Sequence, residues 1–262
     1  MVDLKEKNWK NFTDQHLYDW YGIWTRYTPT GGIQESFRSL RHFEGNADKT
    51  EIYQLNQYIY AEDDVKEQRW NFNERENSLF DGMFHPQAEF MRGYFFPSGH
   101  SIWATTQLKS ETYFAMELFF RYQSLRHSVG IVYDDQGNLF RTANIREDST
   151  AYPSSYWSTD LEQLSQRNLE KNWTGTSITI TSDLEISEPI STQFRWDREG
   201  HQLFYLPDGV SISCPEKVTV GTSFDCVVNW LINDNEMHQL ISSYDATGKF
   251  QSLTFEKYGL KQ

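Results

Sequence analysis

The sequence predicts an all-β protein of two tandem antiparallel barrels, each preceded by a short helix. Residues 1–148 form the larger unit and 149–262 the smaller. Three observations lead there. Aromatic residues make up 16% of the 262-residue chain, as 18 Phe, 15 Tyr and 9 Trp, a composition suited to packed strands. Apolar and polar positions alternate through much of the chain between short turn sequences. The chain also repeats itself. Phe95-Phe96-Pro97-Ser98-Gly99-His100-Ser101-Ile102 is echoed by Tyr205-Leu206-Pro207-Asp208-Gly209-Val210-Ser211-Ile212 at a shift of 110. A repeat of this kind implies duplicated architecture.

The first copy opens with Trp9, Phe12, Leu17 and Trp20 at roughly helical spacing. Trp20-Tyr21-Gly22 then matches Trp173-Thr174-Gly175, and Phe37-Arg38 matches Phe194-Arg195, the latter at a shift of 157. Against the later shift of 110, the first copy carries 47 extra residues between Arg38 and Pro97. That insertion reads as a hairpin, 51–60 and 65–72, turning at Ala61-Glu62-Asp63-Asp64.

Centring the next turn on Ser98 pairs Tyr94 with Ile102 and Arg92 with Ala104. Phe114, Met116, Leu118 and Phe120 then share the more apolar face of the following strand, the expected interior. Tyr133-Asp134-Asp135-Gln136-Gly137 reads as a turn, because Asp bonds its own backbone there, and recurs as Tyr244-Asp245-Ala246-Thr247-Gly248. Residues 147–156 are polar and contain Pro153, which marks a linker. Leu161, Leu164, Leu169 and Trp173 suggest a second helix, opened by a capping box of Thr159 and Glu162. Phe204 pairs with Ile212, Gln202 with Cys214, and Cys214 falls opposite Cys226.

Composition narrows the function. A net charge of −13 argues against a general phosphate-binding surface or an anionic-lipid binder, so no nucleic-acid partner is expected. No apolar run is long enough for a membrane span and no leader peptide is readable, which predicts a cytoplasmic protein. Two cysteines cannot build a disulfide framework or a four-ligand zinc site. The seven histidines show no metal spacing, and no Gly-x-Ser-x-Gly or phosphate-loop pattern occurs. Neither metal nor cofactor is expected.

The helix, then Gly22-Ile23-Trp24, then a meander of antiparallel strands resembles the lipocalin or calycin superfamily. The whole chain is similar to an uncharacterised, mainly cyanobacterial and plant family of lipocalin-like proteins, a domain of unknown function. Trp20-Tyr21-Gly22-Ile23-Trp24-Thr25-Arg26-Tyr27 and Gln68-Arg69-Trp70-Asn71-Phe72 carry that likeness. It implies a calycin-type fold and brings no activity with it. It also implies a structural set in which Arg141 packs on Trp24 near Gly22. In the second copy Ser177 takes the place of Trp24, so the motif is broken there.

Within the expected interior, Arg92 is the notable residue, because an unpaired buried guanidinium is costly and calls for an anionic partner. The expected ligand site is therefore Arg92, Tyr94, His100, Phe114, Met116 and Tyr133. Its ligand would be a small, mainly apolar molecule carrying an acidic group. An enzyme on the same frame (an isomerase, cyclase or chromophore lyase) and a filled barrel acting as an interaction module are the alternatives.

Overall fold

A computed structural model describes residues 3–150, 152–169, 171–196 and 198–260. Helix α1 (Leu4–His16) leads into β1 (Trp20–Tyr27), β2 (Ile33–Gly45), β3 (Glu51–Ala61) and β4 (Asp64–Asn73). A single turn, α2 (Glu74–Asn77), precedes β5 (Ser78–Leu79), β6 (Gly82–His85), β7 (Ala88–Phe95) and β8 (Ser101–Thr105). Then come β9 (Phe114–Tyr122), β10 (Leu125–Tyr133) and β11 (Leu139–Asp148). These eleven strands form one sheet, ordered β4-β3-β2-β1-β11-β10-β9-β8-β7-β6-β5. The second sheet comprises β12 (Trp173–Thr181), β13 (Ile190–Gln193), β14 (His201–Tyr205), β15 (Val210–Pro215), β16 (Phe224–Asn233), β17 (Glu236–Tyr244) and β18 (Phe250–Leu260). Its order is β13-β12-β18-β17-β16-β15-β14. All pairs are antiparallel.

The expected closed barrels are thus two open sheets. Among the described residues β4 and β5, at the ends of the first sheet, form no ladder with each other. The sheet nevertheless curls until Trp70 of β4 lies 5.5 Å, centroid to centroid, from His85 of β6. The run β1-β11-β10-β9-β8-β7 has the same order as β12-β18-β17-β16-β15-β14. The additional strands of the first sheet include the expected hairpin, β3 and β4. Hairpin registers fall as the sequence indicates: Tyr94 opposes Ile102, Arg92 opposes Ala104, Phe204 opposes Ile212 and Gln202 opposes Cys214. Asp134 and Asp245 each accept backbone N–H groups two and four residues on, which closes their turns.

Helix α1 starts at Asp3, whose carboxylate caps the Lys5 amide. It is sewn to β7 through side-chain amides: Asn8 Nδ2 donates to the Gly93 carbonyl, Asn11 Nδ2 to that of Phe95, and Asn8 Oδ1 accepts from the Phe95 amide. This places Phe12 and His16 against the concave face of the first sheet.

Three expectations are corrected. Phe114, Met116, Leu118 and Phe120 do not face the interior of the first sheet. They belong to one core shared with Val210, Ile212, Val228, Leu240 and Phe255, so the two sheets pack convex face to face. A uniformly apolar face is what another sheet covers, whereas the mixed face of Trp103, Glu117 and Phe119 lines the inside of the curl. The linker begins later than expected, since β11 continues through Glu147 and Asp148, both fully buried; Ala151 lies outside the described residues. The second helix is absent among the described residues of 158–172. That segment instead lies along the second sheet, where Arg167 donates to the Leu206 and Val210 carbonyls and the Leu164 amide donates to Tyr205 O. Tertiary hydrogen bonds of this kind override a short helical pattern.

Cys214 and Cys226 are free, fully buried thiols in the shared core. Burial pushes Cys214 up to about 12 and Cys226 well above the usual thiol range. Both should resist alkylation in the folded protein and be labelled after unfolding. Because the folded state disfavours their thiolates, stability should fall as pH rises above about 9. A quantitative disulfide in mass spectra of unreduced protein would contradict this assignment.

Candidate functional site

The concave face of the first sheet is organised by cross-strand rows. In one, Gly22 of β1 opposes Ser39 of β2 and Glu147 of β11, and Glu147 in turn opposes Arg126 of β10. In the next, Trp24 opposes Phe37 and Ile145. Gly22 is glycine because space is short: a Cβ there would meet Glu147 Cγ at 2.7 Å and the Arg146 carbonyl at 3.0 Å. The Gly-x-Trp tripeptide therefore admits the Glu147 side chain and sets Trp24 beside it.

Glu147 is shared by two arginines. Arg126 Nε donates to Oε2 at 2.6 Å, and Arg41 Nε lies 3.3 Å from Oε1. Arg41 Nη2 also donates to Glu117 Oε1 at 3.0 Å, which accepts a further bond from Ser128 Oγ. Aromatic faces flank both cations, with Arg41 4.8 Å from the Trp24 ring centroid and Arg126 4.4 Å from that of Trp20. Burial opposes the charge on Arg41, but Glu117 and Glu147 outweigh it and raise its pKa above the arginine range. Burial lowers Arg126, with Glu147 opposing and Arg41 adding to the shift; arginine remains a cation regardless. Two positive and two negative groups leave this cluster formally neutral.

Beside it lies a cavity of about 180 Å³. Phe12, His16, Phe43, Phe95, Trp103 and Phe119 provide much of its wall, and the exposed Gln68 and Gln87 stand at its rim. Four buried donors on the lining side chains have no hydrogen-bond partner among the described residues: Arg126 Nη2, Trp24 Nε1, Trp70 Nε1 and Arg41 Nε, the last only within ion-pair range of Glu147. His85 also lines the cavity. Its Nδ1 accepts from the Gln87 amide, so Nε2 carries the proton of the neutral ring. Burial, with Arg41 nearby, lowers His85 to about 4. The cavity thus has largely aromatic walls, and side chains around it carry buried donors that lack acceptors.

The residues expected at the site are placed elsewhere. Tyr94, Phe114, Met116 and Tyr133 lie in the core between the sheets, where Tyr133 Oη donates to the Pro215 carbonyl at 3.0 Å. Arg92 is paired with Asp81 at 3.0 Å and donates to the carbonyls of Glu89 and Met91, so it needs no ligand. His100 is buried between the sheets, 3.0 Å from His238 and stacked on Phe255. Trp24 is in the wall as a structural residue, but Arg41 and Arg26 are the arginines over its ring, at 4.8 and 5.8 Å; Arg141 stands 5.7 Å from the ring of Phe140. Arg41, Arg126, Glu117 and Glu147 were missed. Arg41 sits in β2 among Leu40 and Phe43, a charge within an apolar alternation, and that was the available signal.

Residues 5–152 match the domain of unknown function DUF3598, N-terminal. The chain belongs to the DUF3598 family. Residues 192–257 match the C-terminal domain of biogenesis factor required for ATP synthase 1. A DUF3598-family protein of unknown function from Nostoc punctiforme has the same fold, with 21% identity, 100% of both chains covered and a TM-score of 0.75. An S-type phycobiliprotein lyase from Guillardia theta aligns with 57% of this chain and 99% of its own, at 10% identity and a TM-score of 0.38. No curated protein matches the chain in sequence. Among the described residues no group of three or more His, Cys, Asp or Glu is arranged to hold a metal, and no helix is long and apolar enough to cross a membrane.

Burial lowers His85, His127 and His238 to about 4 and His16 and His100 well below the usual value. Their unfolded counterparts titrate near 6.5, so between about pH 6.5 and 4 only the unfolded chain takes up these protons. The denaturation midpoint should be level from the top of that window to about pH 8 and fall through the window as pH is lowered. A midpoint unchanged between pH 7.5 and 4.5 would refute the neutral, buried imidazoles.

Proposed function

We propose that the DUF3598 unit is a binding module that takes a small, mainly apolar molecule through an oxygen acceptor, carbonyl or carboxylate, in the concave chamber of its sheet. The observation that carries this is the set of buried, unpartnered donors on Arg126, Trp24 and Trp70 around one cavity. Buried donors are ordinarily satisfied, and leaving one unmade costs about 1–3 kcal/mol. A ligand oxygen supplies the missing acceptor. The size fits a single ring, since an engineered cavity of roughly 150 Å³ takes up benzene. The charge cluster beneath is already balanced, so the chamber admits a neutral carbonyl as readily as an acid.

On this reading the two units, 1–148 and 149–262, arose by duplication, which the matching strand orders support, and only the first carries the ligand. Tyr94, His100, Phe114, Met116 and Tyr133 then hold the units together, while Arg92 serves its pair with Asp81. An interaction role for the second unit, supported by the likeness of residues 192–257 to the ATP synthase biogenesis factor, leaves the chamber free for this use.

Acetophenone and benzoate, titrated against the tryptophan fluorescence of the whole chain, should bind more tightly than toluene. Trp70→Phe removes one donor and little volume. It should weaken both oxygenated probes by about 0.5–1.5 kcal/mol and leave toluene unchanged. No binding of either probe at millimolar concentration, or equal weakening of all three by Trp70→Phe, would overturn the proposal.

A further inference from the structure

The concave face continues beyond Trp24 and Glu117 into a second chamber of about 160 Å³, and those two residues line both. Its floor is made of small side chains on adjacent strands, Ala115 of β9, Gly130 of β10 and Ala143 of β11. Gly130 opposes Glu117 on one side and Ala143 on the other. At its rim stand Arg26 and Arg141.

Gly130 differs in kind from Gly22. Its backbone is not left-handed, and an added Cβ would meet only Ala143 Cβ at 3.4 Å. Neither conformation nor crowding calls for glycine inside this strand, where it weakens the sheet; such a glycine marks a place where something else approaches closely. Here the missing side chain lowers the chamber floor.

Arg141 supplies the second, independent observation. It is half-buried, and among the described residues it has neither a hydrogen-bond nor an ion-pair partner; its guanidinium stands 5.7 Å from the ring centroid of Phe140. The carboxylate acting on it, Glu35, is already held by Arg26. A guanidinium at the edge of an apolar chamber, with no anion of its own, is a two-point receptor for a carboxylate.

We infer that the two chambers are one elongated site for a carboxylic acid, with its apolar body on the Ala115, Gly130 and Ala143 floor and its carboxylate on Arg141. The far end of the molecule passes Trp24 and presents an oxygen acceptor to the donors of the first chamber. This deepens the proposed function and rests on it for that far end alone. Each chamber is the size of one ring, so the ligand has two ring-sized parts in line. Trp24 divides them.

A matched probe is 4-benzoylbutanoate, whose phenyl ketone suits the first chamber and whose chain and carboxylate suit the second. Its neutral amide is the control, and acetophenone reports on the first chamber alone. Calorimetry on the full chain should show the acid binding about tenfold more tightly than the amide, as a charge-assisted pair provides. Arg141→Gln should remove that advantage and leave the amide unchanged. Gly130→Val should weaken acid and amide alike by about tenfold, through overpacking of the floor, with acetophenone binding and the melting temperature retained. If valine is not tolerated, Gly130→Ala should show the same direction with a smaller change. Equal binding of acid and amide to the wild type, or undiminished binding of both to the Gly130 variants, would overturn the inference. Acetophenone that still responds to Trp70→Phe in that event leaves the first-chamber proposal standing. An acid that follows Arg141 and Gly130 while acetophenone fails to bind overturns the first-chamber reading instead.

Discussion

One fully buried carboxylate holds the concave half of the molecule in order. Glu147 accepts from Arg126 and lies against Arg41, which reaches on to Glu117. The four residues come from β11, β10, β2 and β9, so the group ties together strands that approach from both sides of β1. Gly22 on β1 is the opening that admits the Glu147 side chain. Such a group adds little net stability compared with well-packed apolar residues, but breaking it by removing one partner costs about 3–5 kcal/mol. Its value here is positional. It fixes two guanidinium planes against aromatic rings and leaves two nitrogens, Arg126 Nη2 and Arg41 Nε, without a hydrogen bond.

The rest of the architecture follows from what each face of the first sheet carries. The convex face is apolar along β7 to β10 and is buried by the second sheet, with Phe114, Met116 and Leu118 against Cys226, Val228 and Leu240 in one core. Two polar pairs are fixed between the sheets, although Arg146 Nε and Nη2 keep no hydrogen-bond partner among the described residues. Arg146 meets Asp208, and His100 meets His238. The concave face cannot be covered in the same way because it carries charges and bulky rings. It closes over itself by curling, with α1 packed across it, and the incomplete fit leaves the two chambers. Binding capacity is thus a consequence of unequal faces, with the covered one giving stability and the curled one giving space.

Much of the fold was legible because it rests on local rules. The stripe of Trp9, Phe12, Leu17 and Trp20 marked α1, although the helix stops at His16 and Trp20 opens β1; alternation marked β3 and β4, and the Pro97 and Pro207 turns set the registers of Tyr94 with Ile102 and Phe204 with Ile212. The choice of face was not local. Parity shows that Phe114 and Met116 share a side, but the identity of what covers that side depends on a second sheet that begins only at Trp173. With the faces exchanged, Arg92 was placed inside, although Asp81, eleven residues before it, neutralises it. Glu147 was assigned to a linker because Glu-Asp-Ser-Thr looks solvated, and only the two arginines opposite reveal it as buried. The pattern of Leu161, Leu164 and Leu169 suits a helix, yet the carbonyls of Leu206 and Val210 draw Arg167 onto the second sheet. Site residues were therefore hidden wherever charge was buried by a distant partner.

The central claim is that the concave chamber, and not the core between the sheets, receives the ligand. The indole N–H resonances of the nine tryptophans test it most directly, because Trp24, Trp70 and Trp103 line the chamber whereas Trp157 and Trp230 pack together with His127 in the intersheet region. Addition of acetophenone to uniformly ¹⁵N-labelled protein should shift the Trp24 and Trp70 signals in a saturable manner, with Trp157 and Trp230 unmoved. Saturable shifts at Trp157 and Trp230 with Trp24 and Trp70 unchanged would place the site between the sheets and contradict the account.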